Sequence, residues 1–254
     1  MSKNYKFKDY CYFLLRLIVG RKKRDEIRAN RRIKKNVKLI KAYGPEALSI
    51  MTKTALEEKC HYWLFWGTLL GAYRDKGFIK HDEDIDTGMF DTDISISFVD
   101  KLISNGFKLL TVIVDKDFTG GYHLAFDYKG VKLDIYSFHK DNNSGLTTVF
   151  APLPYNNSIW GQSERKDIND ILHVSMNSWE KVEMIDFEGV KTWIPSNTDD
   201  ILKIAYGENY MTPVRGLKAE DESGAYKVHE DPKVHYACRM SYEVFKMIKN
   251  AKLI

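Results

Sequence analysis

The chain has 254 residues, is 44% apolar and 13% aromatic, and carries a formal net charge of +4. That is enough apolar material for a large core, which excludes global disorder. Three scattered cysteines, Cys11, Cys60 and Cys238, exclude a disulfide framework and a cysteine-rich zinc site.

The charge is uneven. Residues 1–41 hold 15 Lys/Arg and three acids, so the remainder is net acidic. "YCYFLLRLIVG", residues 10–20, is apolar apart from Arg16 but shorter than the ~20 residues that a bilayer span needs. It lacks a small-residue cleavage site after a clean apolar run, which predicts no secretory signal. Sparse, odd cysteine usage predicts a cytoplasmic setting. A dense cationic stretch follows, "RKKRDEIRANRRIKKNVKLIK", with isolated apolar residues Ile27, Ile33, Val37 and Ile40. This reads as a basic amphipathic arm over residues 1–44. It suits either an anionic membrane surface, with the protein peripheral at the inner face of the cytoplasmic membrane, or packing on the acidic body. Nucleic acid fits less well, because the aromatics precede the basic run rather than alternate with it.

Gly44-Pro45 predicts a break in the first helical region. Ala47, Leu48, Met51, Ala55 and Leu56 then mark a helical face. "HYWLFW" predicts a buried strand that runs into Gly67, and residues 67–77 a turn opening a short helix. "DIDTGMF", 84–90, alternates as a strand, residues 95–107 predict a helix ended at Asn105-Gly106, and 108–114 a strand. "YHLAFDY" and "VKLDIYSF" predict a hairpin around Lys129-Gly130. Its second strand sets Val131, Leu133 and Ile135 against Lys132, Asp134 and Tyr136. Residues 195–207 predict a helix capped at Asn197 or Thr198 and stopped at Gly207, and 234–254 a helical tail. The body, 45–254, reads as one α+β domain.

The chemistry concentrates in "GTLLGAYRDKGFIKHDEDIDTGMF", residues 67–90. Asp84 and Asp86 alternate onto one strand face, roughly 6–7 Å apart along the backbone, with Asp82 and Glu83 just before them. An isolated Asp-x-Asp more often marks a solvated loop or a charged sheet edge. Here a third strand-borne acid, Asp134, also stands opposite its own strand's apolar residues. Like charges so close call for a proton or a cation, and a hard divalent ion that takes carboxylates and phosphate oxygens relieves them. Two strands offering three carboxylates suit metal-assisted phosphoryl transfer. The Gly67-Thr68 turn, with Arg74 downstream, offers backbone N–H groups, a hydroxyl and a guanidinium to phosphate.

With these residues placed, the chain resembles the LicD/fukutin family of the nucleotidyltransferase superfamily. The family signature is similar to Gly67, Thr68, Leu69, Leu70, Gly71, Arg74, Ile79, Asp82, Asp84 and Asp86 as they stand here. A later "LDI" strand is similar to Leu133-Asp134-Ile135. A Pro-x-Asn helix ending in Tyr-Gly-x-x-Tyr is similar to Pro195, Asn197, Leu202, Tyr206, Gly207 and Tyr210. His81, where the family usually has tryptophan, and the additional Glu83 depart from the pattern.

The resemblance implies a polymerase-beta-like nucleotidyltransferase core, a mixed sheet flanked by helices. It also implies transfer of a phosphorylated alcohol, phosphocholine-like or a polyol phosphate, from a CDP-linked donor to a sugar hydroxyl of a glycan, with release of CMP. On that reading Asp84, Asp86 and Asp134 hold Mg²⁺ (or Mn²⁺), and Asp134 also takes the acceptor's proton. Asp82 supports metal or acceptor, and Gly67, Thr68 and Arg74 grip the donor phosphates. A conventional nucleotidyltransferase that releases pyrophosphate, and a non-catalytic adaptor with a structural metal site, make similar demands on these residues. If the alcohol is choline, an aromatic cage could come from Tyr62, Trp63, Trp66, Tyr155, Trp160, Trp179 or Trp193, although most such aromatics belong in a core.

Overall fold

The computed structural model describes residues 21–115, 121–152, 168–179, 181–213, 227–228 and 236–252. Helix α1 runs over Arg21–Glu58 and is a single element of 38 residues. The expected break at Gly44-Pro45 does not occur. Pro45 removes one backbone hydrogen bond, but the turns beyond it bury Ala47, Leu48, Met51 and Ala55 completely, and that packing carries the helix through. Gly44 gives room at this crossing, where a Cβ would lie 3.1 Å from the Phe78 ring.

After α1 come β1 (Tyr62–Leu64), the short α2 (Trp66–Leu70) continued by a wider turn at Gly71–Asp75, β2 (Ile85–Phe90) and α3 (Ile96–Ser104). Strands β3 (Lys108–Asp115), β4 (Tyr122–Tyr128), β5 (Val131–Asp141), β6 (Leu146–Pro152) and β7 (Ile168–Asn177) follow. The hairpin β8 (Val182–Phe187) and β9 (Val190–Pro195) precedes α4 (Thr198–Tyr206). Strands β10 (Lys227–Val228) and β11 (Tyr236–Met240) and helix α5 (Tyr242–Asn250) close the chain. The expected helical tail is therefore strand in its first part: Ala237–Met240 pair with β3 before Ser241 caps α5 by accepting from the Val244 amide. Asn197 precedes α4, but its side chain donates to the Asn177 carbonyl instead of capping the helix.

The main sheet runs β1-β2-β5-β4-β3-β11-β7-β10, with β6 bridging β5 and β7. It is mixed. β2 and β5 are parallel, and the other pairings among the described residues are antiparallel. The architecture is thus α+β, as the residue pattern predicts, with a mixed sheet flanked by helices, as the resemblance implies. The β4–β5 hairpin turns at Lys129-Gly130, both at positive φ.

The core explains the order of the strands. Trp63 lies across Gly88 in register, and a Cβ on Gly88 would approach the indole Nε1 to 2.4 Å. The Trp63 ring then packs edge-on against Phe90, Phe138 and Trp179. A buried hydroxyl cluster ties α1 to β1 and β9: Tyr62 Oη lies 2.7 Å from Thr52 Oγ1 and accepts from Thr192 Oγ1 at 2.9 Å. These contacts hold β1 and β2 rigidly where the acids emerge.

Candidate metal centre

Asp86 is fixed by its backbone. Its amide donates to Thr68 Oγ1 at 2.9 Å, and its carbonyl accepts from the Phe65 amide at 3.0 Å. The strand entry is therefore bound at both groups by the β1–α2 corner. Trp66 makes that corner with φ of 41°, a left-handed conformation that is strained for a bulky residue. Asp86 pairs in parallel register with Asp134, and Thr87 Oγ1 donates to the Asp134 carbonyl at 2.8 Å. Side chains at one register position of neighbouring strands point to the same face. Asp84, just ahead of β2, joins them. One carboxylate oxygen from each of Asp84, Asp86 and Asp134 lies within 4.8 Å of the others.

Like charges gathered under cover shift their proton affinities. Burial, then the charges of Asp84 and Asp134, hold the Asp86 carboxyl well above the usual range. Burial also raises Asp84, against the opposing pull of Lys132. Asp134 goes the other way: burial pushes it up, but His123 and Lys132 more than offset that and hold it below its ordinary value. The Tyr136 hydroxyl is pushed up by burial and by Asp86.

The donor set fits a metal. Three carboxylates with converging oxygens are hard ligands of the kind that Mg²⁺ and Mn²⁺ take. Asp134 is 1% exposed, and its Oδ1 finds no hydrogen bond among the described residues. A buried carboxylate oxygen with only the His123 imidazole beside it, and no hydrogen bond, is a costly arrangement that a cation at the triplet would relieve.

Asp82 stands beside the triplet, outside it. Its Oδ2 accepts from the Ile79 amide at 3.2 Å, and its own amide returns a bond to the Ile79 carbonyl. Burial pushes its carboxyl up to about 7. Gly67 faces it: a Cβ there would lie 3.2 Å from Asp82 Oδ1, so the glycine makes room for this acid. Thr68 is 1% exposed, with its oxygen engaged by the Asp86 amide. Arg74 pairs with both oxygens of Asp75 and donates to the Tyr210 carbonyl. Tyr62, Trp63, Trp179 and Trp193 are core residues, Tyr155 and Trp160 lie outside the described residues, and Trp66 is half-buried against Tyr136.

Three further contacts shape the site. Lys132 Nζ sits 2.5 Å from Asp134 Oδ2 and 3.3 Å from Asp84 Oδ2. His123, on β4, is buried with its Nε2 3.3 Å from Asp134 Oδ1 but without hydrogen-bond geometry there. Glu83 takes a two-point grip from Arg32 of α1, at 2.6 and 3.0 Å, and a third bond from Asn36 at 3.2 Å. The basic arm thus reaches the acid-bearing loop. Lys132 had a local signal, the Lys-x-Asp spacing on one strand face. His123 and Arg32 had none, since strand pairing and helix docking bring them in.

Residues 59–197, more than half of the chain, match a family profile described as LicD/FKTN/FKRP, nucleotidyltransferase domain. The chain is 25% identical over 171 residues to a mouse (Mus musculus) protein named ribitol-5-phosphate transferase FKTN, which covers 67% of this chain and 33% of that protein. It is 29% identical over 120 residues to the uncharacterized protein RP689 of Rickettsia prowazekii (strain Madrid E), covering 44% of this chain and 41% of that one. The matched part therefore spans well under half the length of either relative.

Proposed function

The chain belongs to the LicD/FKTN/FKRP nucleotidyltransferase-domain family, and on that premise we propose that it is a divalent-metal-dependent transferase of phosphorylated alcohols. The donor is CDP-linked, the acceptor is a sugar hydroxyl of a cell-surface glycan or its lipid-linked precursor, and CMP leaves. The observation that carries this reading is the convergence of Asp84, Asp86 and Asp134 within 4.8 Å. The similarity to a ribitol-5-phosphate transferase supports the alcohol-phosphate side of it. We read the sheet, with its acids on the parallel β2–β5 pair, as a polymerase-beta-like nucleotidyltransferase core.

Asp84, Asp86 and Asp134 would hold Mg²⁺ or Mn²⁺. Held there, such an ion would supply charge neutralisation at the donor's phosphate oxygens and so favour loss of CMP. The acceptor oxygen forms its bond to phosphorus as the bond from phosphorus to the CMP oxygen breaks. Asp134 is buried too deeply to meet the acceptor, so we keep it as a ligand alone. The hydroxyl proton goes to Asp82, which is half-buried and outside the triplet. Gly67 and Thr68 shape the donor side, with Thr68 acting through the Asp86 backbone. Arg74 has to leave Asp75 to reach a phosphate.

The arm supplies location. No helix among the described residues is long and apolar enough to cross a membrane. Lys23, Arg31, Lys34, Lys35, Lys38 and Lys41 are exposed along α1, a cationic face suited to anionic lipid at the cytoplasmic leaflet, where a lipid-linked acceptor would lie. Because α1 continues into the body, neutralising these residues to Gln tests this better than truncation. Loss of vesicle binding is expected, and unchanged binding would refute it.

Asp84→Ala tests the transfer reading. It should abolish CMP release while the folded protein persists, and normal turnover by the variant would sink the assignment.

A further inference from the structure

Lys132 stands two positions before Asp134 on β5, on the same face of the strand. Its ammonium bridges Asp134 and Asp84 at 2.5 and 3.3 Å. Two of the three carboxylates that a divalent ion would take therefore already hold a monovalent cation. They cannot serve both fully, because the ammonium and the ion repel each other at that range. The Lys132 side chain is 47% exposed, so its stem is free to swing outward without unpacking the core. Anchored two positions from Asp134 on β5, it would still border the centre when swung out.

We propose that Lys132 is a displaceable placeholder for the metal. It keeps Asp84 and Asp134 together and neutralised, yields them when the divalent ion binds, and then presents its ammonium to the donor's phosphate. This rests on the reading of the three acids as a metal centre and adds to it a competitor and a phosphate contact. It also predicts an effect opposite in sign to that of a structural residue: removing the ammonium tightens metal binding.

The test is Mn²⁺ titration, followed by the paramagnetic signal of the free ion, with neither donor nor acceptor present. Lys132→Met should bind Mn²⁺ about tenfold tighter than wild type. Lys132→Gln is the second neutral variant should Met not fold, and Lys132→Arg should bind no tighter than wild type. Lys80→Met removes an exposed charge from the neighbouring loop and should change affinity less than about twofold. With Mn²⁺ saturating, Lys132→Met should bind CDP several-fold more weakly. Mn²⁺ affinity that is unchanged or weaker in both neutral variants, or an equal gain in Lys80→Met, would overturn the placeholder. Unchanged CDP affinity would overturn the phosphate contact. Failure of wild type and Lys132→Met alike to bind Mn²⁺ would overturn the metal centre itself, which is a separate result.

Discussion

Asp86 and Asp134 stand opposite each other in the parallel register of β2 and β5. Two carboxylates thus share one face of the sheet at one height, with Asp84 completing the group. Such a pairing opposes folding unless a cation or a proton relieves it. Asp86→Asn should therefore stabilise the chelator-treated protein by roughly 1 kcal/mol, the trade-off expected where a functional site stores repulsion. The same variant should lose Mn²⁺ binding. Urea unfolding in EDTA and a Mn²⁺ titration read the two effects, and a variant that is less stable and still binds the ion contradicts the account.

The acids also set a pH dependence. Asp82 is pushed by burial to about 7 from an ordinary 3.8. Below 3.8 both folded and unfolded forms hold the proton. Between 3.8 and about 7 the unfolded carboxyl has ionised while the folded one has not, so stability falls as pH rises through that window, and above it the loss is complete. Asp84 and Asp86 are displaced in the same direction. In EDTA the urea midpoint should drop from pH 4 to pH 7, and Asp82→Asn should flatten the slope. A midpoint that rises over this range would contradict the assigned direction.

Much of this site was legible from residue spacing. The Asp-x-Asp alternation and the "LDI" strand mark the three acids that converge, because strand periodicity is local. The hairpin at Lys129-Gly130 is legible for the same reason. Pro45 misleads, since tertiary burial of Leu48 and Met51 outweighs one lost hydrogen bond. Tyr236–Met240 misleads because a five-residue strand exists only through its partners β3 and β7. Glu83 looked like a surplus acid until α1 brought Arg32 and Asn36 to it. Gly67 and Thr68 read as phosphate contacts, and the structure shows the first making room for Asp82 and the second holding the Asp86 amide.

Thr68 offers a direct check on that last point. Thr68→Val keeps the volume but leaves the part-buried Asp86 amide without an acceptor, which should cost about 1–3 kcal/mol. Thr68→Ser should recover most of the stability. Equal stability of the Val and wild-type proteins in chemical denaturation would mean that the hydroxyl does not hold the strand.

The grip of Arg32 on Glu83 predicts a local effect. Arg32 is 67% exposed in its side chain, so Arg32→Ala should change global stability by less than about 1 kcal/mol. Amide exchange at residues 80–84 should nevertheless accelerate, because the loop loses its tie to α1. Exchange rates there that match wild type would show that the loop needs no such tie.

The transfer chemistry itself is the central claim. Purified protein is incubated with CDP-choline, CDP-ribitol and CDP-glycerol, with Mg²⁺ or Mn²⁺, with and without glycan acceptor, and the phosphorus-containing products are identified. The account predicts CMP in step with a phosphodiester on the acceptor for one of these donors, lost in EDTA and in Asp84→Ala. Pyrophosphate released from a nucleoside triphosphate, or no divalent-dependent cleavage of any donor, would contradict it.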